Sequence, residues 1–108
     1  MKKLDYDAEH LLQFIPTGME RPRPLKELVN LTGWNSRKVR KVISHLIVDY
    51  QVPVGATYDV PHNGYFIIAD ETERAKALAP LLSQIGEMNK RINTISNVNL
   101  DINKKPVS

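Results

Sequence analysis

The chain has 108 residues, of which 42% are hydrophobic, enough for a single domain with a modest core. It contains no cysteine, which excludes disulfides, thiol catalysis and cysteine-ligated zinc. Met-Lys-Lys at the start is followed by acidic residues where a signal peptide needs an apolar region, and no apolar stretch is long enough to span a membrane. We therefore expect a cytoplasmic protein with no membrane partner.

The net charge of +3 is unevenly distributed along the chain. Residues 21–41 contain seven basic residues and one acidic residue, so this segment carries +6 and the remainder carries −3. Such segregation is typical of a surface that contacts phosphates, because positive and negative charges tend to be interspersed on the surface of a soluble domain with no anionic ligand.

Three helices are predicted in the first half of the chain. Apolar residues at three- and four-residue steps predict a helix over residues 4–15. Prolines and a glycine then favour an extended connection, in which residues 21–24 can form a short edge strand. A second helix is expected from Pro24 or Leu25 to Thr32-Gly33, and Asn35 or Ser36 is expected to cap the third.

The third predicted helix, Ser36 to Asp49, is amphipathic with a cationic outer face. The positions expected to face the core are Val39, Val42, Ile43, Leu46 and Ile47. The opposite side carries Arg37, Lys41, Ser44 and Val48, flanked by Lys38 and His45.

A β-hairpin and a final helix are predicted in the second half. Strand-forming residues at 52–58 and 64–69 enclose a segment rich in turn residues, which predicts a hairpin with its tip near residues 61–64. Asp70 or Thr72 is expected to cap a final helix that extends to residue 97. The polar segment 98–108 is expected to be a flexible tail.

Apolar residues in the final helix follow a heptad-like spacing of 3, 4, 3, 4, 3. These residues, which we call the seam, are Leu78, Leu81, Ile85, Met88, Ile92 and Ile95. The seam is longer than a small core needs, which favours a homodimer interface over the alternative that it folds back as core. Pro80 predicts either a kink or a break near Ala79.

The order of these elements resembles the winged helix-turn-helix family. A helix ending at Gly33 is followed by Ser-Arg-Lys-Val-Arg-Lys-Val-Ile-Ser-His-Leu, and Pro-His-Asn-Gly-Tyr-Phe-Ile at 61–67 resembles the wing ending of the biotin-repressor type. Val-Pro-Val-Gly-Ala at 52–56 and Gly-Tyr-Phe-Ile at 64–67, followed by a long C-terminal helix with an acidic start, are also similar to small winged-helix proteins of phages and mobile elements of Gram-positive bacteria. The likeness as a whole spans residues 4–96. The resemblance implies an α+β fold in which residues 1–69 form three helices and a hairpin wing. Residues 70–97 would then form the long C-terminal helix, in which the seam predicts dimerisation.

This resemblance implies a transcriptional regulator that binds double-stranded DNA, with the third helix in the major groove. The residues expected to contact base edges are Arg37, Lys41 and Ser44. Those expected to contact phosphates are Lys38, Arg40, Lys26, Arg21 and Arg23, together with Asn35 and Ser36 at the helix N-terminus. The wing offers only His62 and Asn63 beside Asp59, so the helix is expected to supply most of the specificity.

Other functions are also compatible with parts of the sequence. The basic helix can instead meet an acidic protein, which would make the chain a winged-helix adaptor for a replication or host factor. Replication initiation or single-strand binding is a weaker alternative, because only 6% of residues are aromatic and stacking surfaces for bases are scarce. Scattered histidines and the absence of phosphate-binding loops or nucleophile elbows predict no metal, no cofactor and no enzymatic activity. Trp34 is expected to seal the helix junction, with base stacking as the alternative.

Overall fold

The computed structural model describes residues 3–59 and 61–97. Within these ranges the chain is α+β, with four helices and a two-stranded antiparallel sheet. The elements are α1 (Tyr6–Leu12), α2 (Leu25–Thr32), α3 (Ser36–Val48), β1 (Val54–Thr57), β2 (Gly64–Ile67) and α4 (Glu71–Asn97). The chain divides into two compact units between Leu78 and Ala79, inside α4.

Helix α1 is shorter than the predicted span of residues 4–15. It begins after Asp5, whose carboxylate accepts a hydrogen bond from the Ala8 backbone N–H at 2.8 Å. Beyond Leu12 the chain tightens, and the Ile15 N–H donates to the Leu12 carbonyl at 3.1 Å, three residues back. The helix ends there because Pro16 disfavours helical backbone in the residue before it.

Helices α2 and α3 are joined by a tight turn, as predicted. Gly33 ends α2 with φ of 76°, a left-handed conformation that glycine adopts without strain, and its N–H donates to the Val29 carbonyl. Asn35 caps α3 by accepting a hydrogen bond from the Lys38 N–H at 2.8 Å. The predicted last residue, Asp49, is the C-terminal cap of α3.

The core lies where α1, α2 and α3 meet. Its buried residues are Ala8, Leu11, Ile15, Leu28, Val39, Val42, Ile43 and Leu46. The predicted burial of the inner side of α3 is thus confirmed at four positions. The prediction is wrong for Ile47, which is 43% exposed. Ile47 lies about 100° around the helix from Leu46, at the edge of the buried side.

The hairpin pairs Val54 with Ile67 and Thr57 with Gly64, which confirms it with strands shorter than predicted. The connection between α1 and α2 runs beside β2, where Arg23 and Tyr65 exchange backbone hydrogen bonds of 2.8 and 2.9 Å. The edge strand predicted at residues 21–24 is therefore reduced to a single paired residue. The physical reason is that the prolines on either side of Arg23 have no N–H to donate.

Helix α4 begins at the predicted cap and continues through its proline. The Asp70 carboxylate accepts from the Glu73 N–H at 2.8 Å, and the Glu73 carboxylate accepts from the backbone N–H groups of Met19 and Ala69. Pro80 lies inside the helix, so the alternative of a break near Ala79 is wrong. A proline removes one backbone hydrogen bond, which a helix of 27 residues can lose and still continue. The predicted tail, 98–108, lies outside the described residues.

Candidate nucleic-acid interface

The outer face of α3 is exposed along its whole length. Arg37, Lys41 and Ser44 are all exposed, as predicted, and Val48 on the same side is 71% exposed. Because Val39 and Leu46 are fully buried on the opposite side, the helix has no freedom to rotate these cations inward. The packing therefore fixes the direction in which Arg37 and Lys41 project.

The N-terminus of α3 retains two side-chain donors for a ligand. The side-chain oxygen of Asn35 is occupied by the helix itself, through its bond to the Lys38 N–H. The Asn35 amide nitrogen and the exposed Ser36 hydroxyl remain as donors beside the positive end of the helix dipole.

One flank of α3 forms an open groove of about 630 Å³ against the start of α1. The groove is lined by Asp5, Asp7, Ala8, Asn35, Arg37, Lys38, Lys41, Val42 and His45. Lys38 Nζ lies 3.5 Å from the Asp7 carboxylate and 4.4 Å from the centroid of the Trp34 ring. Lys38, predicted to contact phosphate, is therefore engaged between α1 and the turn.

The acidic wall of this groove was not predicted to be part of the site. Tyr50 donates its hydroxyl to the Asp5 carboxylate at 3.1 Å. The backbone hydrogen bond from Ala8, together with the Tyr50 hydroxyl and nearby His45, lowers the pKa of Asp5. Burial, followed by the hydrogen bond to Asp5, raises the pKa of Tyr50. The acidic residues near the N-terminus were the only sequence signal for this wall.

The other flank of α3 faces the hairpin. Arg40 lines a hollow of about 210 Å³ together with residues of α2 and of both strands, and with Tyr58 and Asn63 from the loop between the strands. His62 and Asn63 are exposed in the loop between the strands, and the His62 carbonyl accepts a hydrogen bond from the Thr57 hydroxyl. The structure thus brings Asn63 and Arg40 to one place, and the hairpin adds no lysine or arginine to it.

The remaining predicted phosphate contacts lie before and at the start of α2. Arg21 and Lys26 are exposed, whereas Arg23 is half-buried because its backbone is paired with Tyr65. Arg21 and Arg23 therefore belong to the connection that runs beside β2, and Lys26 belongs to the first turn of α2.

Trp34 packs against the core cluster and is partly buried, as predicted for a residue that seals the helix junction. Its ring lies 5.5 Å from the His10 ring, which in turn stacks on Tyr6. This placement supports the structural role of Trp34 over base stacking.

The cations of α3 differ in their electrostatic partners. Within residues 3–59 and 61–97, Lys38 pairs with Asp7 of α1, and His45 contacts Asp49 one turn later along the chain. Arg37, Arg40 and Lys41 form no ion pair within 4.0 Å with any residue of those ranges. These three side chains can donate to an external anion without first breaking a pair.

The part of the chain that the structure describes contains neither a candidate metal site nor a candidate membrane span. No group of three or more histidine, aspartate or glutamate side chains there is placed to hold a metal ion. No helix among the described residues is both long enough and apolar enough to cross a bilayer.

The predicted dimerisation residues of α4 are exposed. Their exposed fractions rise along the helix from 44% at Leu78 to 58% at Ile92 and 73% at Ile95. Large apolar side chains exposed in a continuous row are unusual for an isolated helix and mark a surface that can bind a partner.

No protein-family model, no curated protein and no solved structure was found to match this chain.

Proposed function

We propose that the chain is a winged helix-turn-helix protein that binds duplex DNA through the outer face of α3. The order of three helices and a hairpin supports this fold, as does the pairing of Arg23 beside β2. In this arrangement the hairpin corresponds to the wing and α3 to the helix that enters the major groove.

The proposal is based on the exposure of the α3 cations and on the lack of ion-pair partners for Arg37, Arg40 and Lys41 among the described residues. Arg37 and Lys41 are exposed, are fixed in direction by the buried inner side and have no ion-pair partner in the described ranges. Both side chains can donate to O6 and N7 of guanine, and Ser44 beside them can donate or accept. Arg40, on the hairpin flank, is suited to a phosphate contact, because it is exposed and unpaired within the same ranges.

The test begins with selection of bound sequences from a random duplex pool. Affinity for the selected duplex is then measured by fluorescence anisotropy over a range of salt concentrations. We expect Arg37→Ala and Lys41→Ala each to cost about 1–3 kcal/mol on the selected sequence and less on unrelated duplexes. Arg40→Ala should weaken all duplexes alike and reduce the salt slope by about one.

Lys76→Ala is the matched control, because Lys76 is an exposed lysine on α4 and does not belong to α3. It should leave the sequence preference unchanged. Absence of salt-dependent binding by the wild-type protein to any duplex would refute the proposal.

One observation favours a second function, that of a protein adaptor. Ile47 and Val48 place apolar surface next to the cations of α3, and the hairpin contributes no lysine or arginine. An acidic protein with an apolar centre would match this surface as well as a duplex does. Retention of one stoichiometric protein after nuclease treatment, lost in Arg37→Ala and not competed by duplex DNA, would favour the adaptor. As a DNA-binding regulator or an adaptor, the protein would act in the cytoplasm and would not be an enzyme.

A further inference from the structure

The second unit of the chain presents one continuous apolar row along α4. From Leu81 to Ile95 the seam residues are 48% to 73% exposed. We propose that this row pairs with the same row of a second copy, forming a parallel two-stranded coiled coil. This association does not depend on DNA binding by α3.

With heptad positions lettered a to g, Ile85 and Ile92 occupy position a, and Leu81, Met88 and Ile95 occupy position d. The isoleucines at position a, together with Leu81 at position d, favour two parallel strands, whereas Ile95 at position d by itself favours a higher oligomer. Isoleucine at position a packs well against its own copy in parallel dimers, since its β-branch fits the side-chain geometry there.

The residues that disfavour a helix lie away from the seam. Pro80 falls at position c and Gly86 at position b, both on the outer side of the helix. A partner helix would therefore not contact the proline ring or the missing glycine side chain. The helix is continuous from Leu81 to Ile95, so the seam residues of the second unit form a single row.

The charges of this part of α4 also suit a second copy. Glu87 and Lys90 lie on the outer side and pair with each other at 3.7 Å. The positions flanking the seam are Leu82, Gln84, Asn89, Arg91 and Ser96, of which one is charged. In parallel register, position g of one strand lies beside the following e of the other, so Arg91 meets a serine and no like charges meet.

The size of the seam sets the strength expected of the dimer. Fifteen residues from Leu81 to Ile95 span about 22 Å of helix, or about two heptads. A contact this short lies at the small end of specific interfaces, so the dissociation constant should be on the order of micromolar. The dimer should therefore form and dissociate over an accessible concentration range.

Association is tested by analytical ultracentrifugation of the full chain across that concentration range, without DNA. The wild type should shift from monomer to dimer, and Ile92→Glu should weaken the dimer at least about tenfold, because it buries two carboxylates opposite each other. Ser83→Glu, at the outer position f, is the matched control and should dimerise like the wild type. Far-UV circular dichroism checks that both variants retain their helix.

Orientation is tested with single cysteines, since the natural chain has none. In a parallel pair Leu81→Cys lies next to its own copy and should form a disulfide dimer under mild oxidation. In an antiparallel pair residue 81 of one copy would lie opposite residue 92 of the other. The two copies of residue 81 would then be about 16 Å apart along the helix, so no disulfide should form. Ser83→Cys, facing outward, is the control that should stay unlinked.

Each other outcome overturns part or all of the proposal. A helical wild type that stays monomeric at about 100 μM refutes self-association. A trimer or tetramer refutes the two-stranded form, and a dimer that Leu81→Cys does not link refutes the parallel orientation. Loss of DNA binding alone would leave these readouts unchanged, so failure of the two proposals can be distinguished.

Discussion

Replacing Gly64 with alanine should destabilise the first unit through a backbone clash. Gly64 has φ of 147°, which alanine rarely adopts. A Cβ atom there would lie 2.5 Å from the Arg23 carbonyl carbon and 2.7 Å from both the Arg23 oxygen and the Pro24 nitrogen. These are backbone atoms, so no side-chain rotation relieves the contact. The next residue, Tyr65, is the one that exchanges hydrogen bonds with Arg23.

The cost has two parts. The unfavourable backbone conformation costs about 1–3 kcal/mol, and separating the two hydrogen bonds between Arg23 and Tyr65 costs about 1 kcal/mol each. Alanine also lowers the entropy of the unfolded chain, which offsets about 0.4–1 kcal/mol of this cost. We therefore expect the free energy of unfolding to fall by roughly 2–5 kcal/mol, which lowers Tm by about 10 °C or more in a domain of this size.

The assay is urea and thermal unfolding followed by circular dichroism, with Gly86→Ala as the matched control. Gly86 lies inside α4 with no heavy atom within 4 Å of the position a Cβ would take. Alanine there should stabilise the helix by about 0.5–1 kcal/mol. Unfolding of Gly64→Ala at or above the wild-type midpoint would refute the argument from close backbone approach.

Three further predictions follow from packing and charge. Leu46→Ala should lower the free energy of unfolding by about 2–5 kcal/mol, because Leu46 is fully buried, and an unchanged thermal midpoint would contradict this. If α3 binds DNA, Asp7→Asn should tighten duplex binding about two- to fivefold at low salt by releasing Lys38 and removing a negative charge; weaker binding in anisotropy titrations would argue against it. The pKa of Asp5 is lower in the folded state than its ordinary value of 3.8. The ionised carboxylate therefore stabilises the folded state at pH values above 3.8, and this stabilisation is lost as the pH falls through the pKa that Asp5 has in the folded state. Acid unfolding of Asp5→Asn should therefore depend less steeply on pH, and an identical pH profile would show that this carboxylate does not contribute.

Local chemistry was predictable from the sequence because it depends on neighbouring residues. The left-handed end of α2 at Gly33 and the Asn35 cap follow from the backbone freedom of glycine and the side-chain oxygen of asparagine. The buried side of α3 follows from the helical period, which failed only at the edge residue Ile47. The exposed cations Arg37 and Lys41 follow from the same period.

The neighbours of α3 were decided by the tertiary structure alone. A helical period shows which side of a helix is buried, but it does not identify the element that packs beside each flank. Only the packing of α1 places Asp7 next to Lys38, and only the hairpin places Asn63 in one hollow with Arg40. The physical reason is that both pairings join residues far apart in the chain, so no local spacing encodes them.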